Sequence, residues 1–174
     1  GHTDYTWFTL QWSMLTVDGI PAHPLVVHAV VVLLPLAAVG TLLVVARPLW
    51  RQQLGVWVLL LALAGVAAVP VATQTGEQLQ RALGGGGALV EIHEHRADTL
   101  LVPALIFLVL LAATVLVGRR AQIGARVGGP GAAHATVSNP ATLQRVTLVT
   151  GILAALAGLV VTGLVVWIGH AGSA

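Results

Sequence analysis

Four apolar runs dominate this chain, and each is about as long as a helix that crosses the hydrocarbon core of a bilayer. They cover about residues 24–46, 54–73, 99–118 and 143–168. The first run contains a single ionisable side chain, His28. Soluble domains carry about 25% charged residues, whereas only 8% of this chain is charged. The pattern therefore predicts an all-α integral membrane protein, a four-helix bundle running up, down, up and down.

Residues 21–174 are predicted to form a single transmembrane domain, preceded by a tail over residues 1–20. Within the tail, aromatic and apolar side chains recur every three or four positions, at Tyr5, Phe8, Trp12 and Leu15. This spacing favours a short helix over 4–16 in the headgroup layer; a frayed tail is the alternative. No basic region followed by an apolar core occurs here, so we expect no cleavable signal peptide. The stretches 74–89 and 121–138 are predicted loops.

The charges predict how the bundle is oriented. Two loops carry arginine without any acid: 47–53 contains Arg47 and Arg51, and 119–145 contains four more. All six carboxylates fall on the opposite side. Because basic loops stay on the cytoplasmic side, both termini are expected outside the cytoplasm. The excess of two positive charges is too small to indicate a nucleic-acid partner.

Histidines gather at the other side of the predicted membrane. They are His23, His28, His93, His95 and His170, near the ends of spans one, three and four. Neighbouring helices in a bundle lie about 8–10 Å apart, so these side chains could come within reach of one another. Imidazole is a common metal ligand, and Glu94 and Asp98 could ligate a metal or orient a ligating ring. The pattern predicts a histidine site at this end of the bundle.

Each of these residues also has an ordinary structural interpretation. His23 could cap the first helix or reach the headgroups. His28 lies about one turn inside the span, where a polar group is expected to need a partner within the bundle. His93 and His95 are nearly opposite on a helix, so at most one should face inward. Glu94 and Asp98 could simply form a hydrated helix start, and His170 suits the end of a helix.

Motifs along most of the chain resemble a family of small bacterial membrane proteins named domain of unknown function 2231. The motifs are Gly19-Ile20-Pro21-Ala22-His23-Pro24 followed by His28, Thr75-Gly76-Glu77, His93 with Asp98, and Gly169-His170-Ala171-Gly172. The resemblance spans about residues 18–172 and implies four spans in a bacterial cytoplasmic membrane. It points to His23, His28, His93 and His170, with His93 rather than His95 as the shared position, and implies no activity.

Three kinds of function fit these residues, and a stand-alone enzyme is not expected. The first is a small electron-transfer subunit that binds b-type haem through His28 with His93 or His170, the Gly and Ala residues of spans two and four giving a porphyrin room. The second is an outer-facing Zn or Cu site, structural, sensory or catalytic, built from the same histidines with Glu94 or Asp98. The third is a non-catalytic accessory subunit of a larger respiratory or electron-transfer complex in the membrane, in which the histidines bond between helices.

Overall fold

The computed structural model describes residues 16–17, 20–82, 88–127 and 140–171, with side chains over 24–77, 98–126 and 141–170. Four helices account for most of these residues: α1 Ala22–Ala46, α2 Pro48–Ala82, α3 Ala88–Val127 and α4 Pro140–Ala171. A two-residue antiparallel pairing of β1, Thr16–Val17, with β2, Ile20–Pro21, precedes α1. Each of the four helices contains a stretch long and apolar enough to cross a membrane. The predicted four-helix membrane architecture is therefore confirmed.

Two of the helices, α2 and α3, extend into stretches predicted as loops from composition. α2 continues through residue 82, and α3 begins at residue 88 and runs to 127, so the predicted loops at 74–89 and 121–138 are partly helical. Hydropathy identifies only the part of a helix that lies in the apolar layer. The helix can continue beyond that layer, because its backbone hydrogen bonds are made within the helix. The predicted interfacial helix over 4–16 lies outside the described residues, except Thr16, which belongs to β1.

The helices form a ring in which α1 packs against α2 and α4, and α3 packs against α4 and α2. Glycines fix the register of α1 on α2. A Cβ added at Gly40 would lie 2.8 Å from Val58 Cγ2, and one at Gly65 would lie 2.9 Å from Leu34 Cδ2. Later residues of α2 thus meet earlier residues of α1, so the two helices run antiparallel.

The other neighbouring pairs are antiparallel for the same reason. Gly158 of α4 meets both Ala38 of α1 and Phe107 of α3, while Gly151 of α4 meets Val45 and Thr114 further along. On the remaining side, the added-Cβ position at Gly55 of α2 is 3.5 Å from Val115 of α3, and that at Gly118 of α3 is 3.2 Å from Arg51. Each close approach depends on a residue without a side chain, which lets helix backbones come together without a hydrophobic driving force.

The centre of the bundle is tightly filled. Its fully buried apolar side chains come from all four helices: Leu34, Ala37, Val44, Ala62, Ala104, Phe107, Leu111, Ala154 and Val161. The outside is apolar as well, since Trp57, Val109 and Val166 are each more than 60% exposed. A helix that is apolar on all sides is typical of a membrane span. This distribution agrees with a bundle whose outer surface contacts lipid.

The few polar side chains in the core bond within the bundle. Thr41, Thr114 and Thr147 are buried, and each hydroxyl donates to the carbonyl four residues earlier in its own helix. Thr114 also lies 3.1 Å from the hydroxyl of Thr150, which links α3 to α4. Among the described residues, every buried side-chain nitrogen or oxygen has a hydrogen-bond partner.

Candidate functional site

The antiparallel packing gives the bundle two chemically different ends. At one end, which we call the histidine end, α1 and α3 begin and α2 and α4 finish. The opposite end, called the arginine end, contains Arg47 and Arg51 at the α1–α2 junction and the arginines 119, 120 and 145 of α3 and α4. The charge asymmetry seen along the sequence is thus an asymmetry between the two ends of one bundle.

Residues far apart in the chain reach the same level at the histidine end. The close contacts fix how far each helix is shifted along the bundle axis relative to its neighbour. If the helices continue straight from those contacts, four backbone positions lie within about one helical turn of each other along this axis: His23, Glu77, His93 and His170. His28 lies slightly deeper, at about the level of residue 168 of α4. The side chains of His23, His93 and Glu94 are outside the described side chains, although all three residues belong to helices.

His28 has a defined partner, and it is not in the core. Its ring is exposed, and Nδ1 lies 2.6 Å from the carbonyl oxygen of Pro24, one turn earlier in α1. A carbonyl can only accept, so Nδ1 carries the proton, and the lone pair of the neutral ring is on Nε2. One nitrogen of the His28 ring thus bonds to the backbone of its own helix, and a partner for the ring elsewhere in the bundle stays a prediction.

His28 and His170 lie on the same outer face of the bundle. His28 shares the side of α1 with the exposed residues Val32 and Val39, and His170 shares the side of α4 with Val166. The direction of each histidine follows from its distance in sequence from the Ala38–Gly158 contact, at 3.6 residues per turn. By this periodicity both histidines face the outer surface that α1 and α4 form together. The two residues differ by only about two positions in level. The sequence predicted that the two residues lie at the same end of the bundle, whereas their shared outer face depends on the register of the helices and was not evident.

The carboxylates predicted near the site are less closely placed. Asp98 is exposed at the point where the apolar part of α3 begins, and Glu77 is half-buried on α2. Among the described side chains, no three histidine or acidic residues are close enough to hold a metal ion. The described part of the chain thus offers a pair of histidines, and a larger ligand set would require the side chains of 23, 93 or 94.

The core leaves no room for a porphyrin at the glycines that were expected to provide it. The space at Gly65 is filled by Leu34, and the space at Gly158 is filled by the ring of Phe107 and by Ala38. Phe107 and Leu34 are themselves fully buried. At these two positions, the small residues of spans two and four therefore serve helix packing.

Arg51, which the sequence analysis treated only as a loop charge, lies within α2 and packs into the arginine end. It is half-buried and its Nε donates a 3.3 Å hydrogen bond to the carbonyl of Val44 at the end of α1. Its position four residues before the buried Gly55 and seven before Val58 is the spacing of an inward-facing helix side. That spacing was available in the sequence, but only the observed start of α2 at Pro48 puts Arg51 in the same helix.

Comparison with known proteins agrees with this fold. The sequence model of a family described as Predicted membrane protein (DUF2231) matches residues 19–173, so the chain belongs to that family. No curated protein and no solved structure matches the chain.

Proposed function

We propose that this DUF2231 member is a small electron-transfer subunit of the bacterial cytoplasmic membrane, with both termini outside the cytoplasm and a metal-centred cofactor at its histidine end. The proposed cofactor is b-type haem, with a Zn or Cu ion as the alternative. His28 and His170 are the primary ligands, and His23, His93, Glu94 and Asp98 are the further candidates. Haem ligated by imidazole would supply one-electron redox chemistry.

The observation that carries this proposal is the hydrogen bond from His28 Nδ1 to the Pro24 carbonyl. Histidines that ligate metals usually donate their second ring nitrogen to a carboxylate or backbone carbonyl, which fixes the tautomer and the ring orientation. Here the same bond occupies Nδ1 of an exposed ring, so that in the neutral form the lone pair is on Nε2. A bond of this kind also satisfies a histidine that binds nothing, so the second histidine on the same face matters.

His170 supplies that second histidine. It is exposed in the last turn of α4, on the face that α4 shares with α1 and close to the level of His28. Because both rings are exposed, we place the proposed cofactor on this outer face. Such a cofactor would be accessible to a partner protein, as an electron-transfer subunit requires.

Absorption spectra and metal analysis test the proposal. Protein purified in detergent from cells supplied with haem precursor, Zn and Cu is compared, oxidised and reduced, with His28→Ala, His170→Ala and the control His134→Ala. His134 lies in the sequence between α3 and α4 and was not among the predicted ligands. We expect a Soret band, or about one equivalent of metal, in the wild type and in the His134 variant, and its loss in the other two.

The contrary result is also informative. A wild-type protein without colour or bound metal, or two site variants that retain both as fully as His134→Ala, would show that the proposal is wrong. Circular dichroism of each variant establishes that it remains helical, so that loss of the cofactor is not loss of the fold.

An accessory subunit of a larger membrane complex is the second candidate, and the outward direction of His28 favours it. In this case Nε2 accepts a hydrogen bond from a neighbouring subunit, since a polar atom on a membrane-facing surface gains from a protein partner. A cofactor-free protein that co-purifies with a defined membrane partner, and loses that partner in His28→Ala, would support this function over electron transfer.

The proposed orientation is tested by labelling single introduced cysteines, since the chain contains no cysteine of its own. Gln52 is exposed at the arginine end, and Gly169 is exposed at the histidine end with no atom within 4 Å of an added Cβ. A membrane-impermeant maleimide applied to intact cells should label Gly169→Cys, and should label Gln52→Cys only after permeabilisation. The reverse pattern would contradict the orientation while leaving the fold unaffected.

A further inference from the structure

Arg51 differs from the other described arginines at its end of the bundle. Arg47, Arg119, Arg120 and Arg145 are exposed, whereas Arg51 is half-buried. It continues the buried side of α2 that includes Gly55 and Val58. A guanidinium is therefore directed toward the junction of the helices and not outward from the rim.

Three helices meet at Arg51, and the fourth, α4, approaches the same glycine of α3 that lies next to Arg51. Arg51 itself belongs to α2, and its Nε donates to the Val44 carbonyl of α1 at 3.3 Å. A Cβ placed at Gly118 of α3 would lie 3.2 Å from Arg51 Cδ and 3.5 Å from Thr147 Cγ2 of α4. The absence of a side chain at Gly118 thus makes room for the stem of Arg51.

The charge of Arg51 has no counterion at this end among the described residues. The acids with described side chains are Glu77 and Asp98, and both belong to the histidine end. Glu77 is roughly 39 Å from Arg51 along α2 at 1.5 Å per residue. The Nε bond to Val44 uses one of the five donors of a guanidinium. The remaining donors are suited to an anion from outside the chain, and a planar guanidinium binds phosphate in a bidentate manner.

The position of Arg51 along the bundle indicates where such an anion would come from. Arg47 stacks over the ring of Trp50, 4.8 Å from its centroid, one residue before Arg51. Tryptophan is enriched at the membrane–water interface, which is the layer that contains the phosphate groups of lipids. Basic pockets between transmembrane helices at this level are suited to anionic headgroups.

We propose that the arginine end binds an anionic phospholipid, with the lipid phosphate on Arg51 and the exposed arginines around it adding to the attraction. The site would anchor the junction of the four helices to the leaflet around it. The inference does not depend on the proposed function at the histidine end or on which leaflet surrounds the arginine end. The alternative is a purely structural role, in which Arg51 only caps the end of α1 through its hydrogen bond to the Val44 carbonyl.

Lipid titration by native mass spectrometry distinguishes these roles. Delipidated protein in detergent is titrated with phosphatidylglycerol, with phosphatidylcholine, and with phosphatidylglycerol in the presence of inorganic phosphate. The variants are Arg51→Gln and Arg51→Lys. The matched control is Arg126→Gln, because Arg126 is an exposed arginine of α3 about 12 Å beyond Gly118 along the helix.

We expect the wild type to prefer phosphatidylglycerol, and Arg51→Gln to weaken its binding by roughly fivefold or more, which is the value of one arginine at a lipid surface. Arg51→Lys keeps the charge but lacks the planar guanidinium, so its affinity for phosphatidylglycerol should lie between those of the wild type and Arg51→Gln. If Arg51→Gln does not fold, Arg51→Lys takes its place in the comparison. Arg126→Gln should change binding by less than about twofold.

Three results would overturn the proposal. The first is equal binding of the two lipids by the wild type. The second is binding by Arg51→Gln that matches Arg126→Gln, which would leave Arg51 as a helix cap. The third is full displacement of phosphatidylglycerol by millimolar inorganic phosphate, which would assign the site to a soluble phosphate.

Discussion

Replacing Gly158 by alanine tests how closely the helices pack at the centre of the bundle. The added Cβ would lie 3.0 Å from Phe107 Cε2, 3.1 Å from Ala38 Cβ and 3.3 Å from Ala38 Cα. Carbon atoms in contact prefer separations of about 3.5–4.0 Å. Phe107 is fully buried and Ala38 is 4% exposed, so neither neighbour can move aside into open space.

The expected loss of stability follows from two opposing effects. Extra carbon in a filled core costs about 1–3 kcal/mol. Alanine in place of glycine gains up to about 1 kcal/mol of helix propensity. Gly158→Ala should therefore lower the free energy of unfolding by about 0–2 kcal/mol. Gly163 lies in the same helix with no atom within 4 Å of an added Cβ, so Gly163→Ala should show only the gain.

Unfolding by sodium dodecyl sulfate in mixed micelles, followed by circular dichroism, measures both variants against the wild type. The difference between them isolates the packing cost and should be about 1–3 kcal/mol. Equal stability of Gly158→Ala and Gly163→Ala would mean that α4 does not approach α1 and α3 at Gly158 as closely as in the structure. The predicted packing cost would then be wrong.

The same unfolding assay checks two further predictions. Phe107→Ala should cost about 3–5 kcal/mol because it leaves a cavity, whereas Trp57→Ala should cost much less because Trp57 is 67% exposed; equal losses would contradict the assignment of inner and outer faces. A double-mutant cycle of Thr114→Val and Thr150→Val should give a coupling of about 0.5–1 kcal/mol between α3 and α4, and strictly additive losses would mean that the 3.1 Å contact contributes nothing.

The membrane architecture was accessible from the sequence because it depends on local composition. The preference of an apolar stretch for lipid is a sum over its own residues, so length and hydropathy were enough to locate four helices. Motif resemblance likewise identified the family. The interfacial helix over 4–16, the orientation and the ligand set remain predictions, since nothing in the described residues tests them.

The candidate sites were accessible only in part. Alternation of the helices brings the ends that contain His28 and His170 together, and the sequence predicted this much. It did not predict that both residues lie on the outer surface, or that Arg51 lies inside the opposite end. For His28 the reason is that α1 is apolar on almost every side, so its periodicity does not distinguish an inward face from a lipid-facing one. For Arg51 the reason is that the sequence analysis placed it in a loop, whereas α2 already begins at Pro48.

What the sequence by itself determined is therefore the set of four spans, their alternation and the separation of most histidines from most arginines. What only the tertiary structure decided is the rotation of each helix about its own axis. That rotation is set by close contacts such as Leu34 in the space at Gly65 and Phe107 in the space at Gly158. In lipid, where burial of apolar surface does not favour one face over another, such packing decides which side chains face the core.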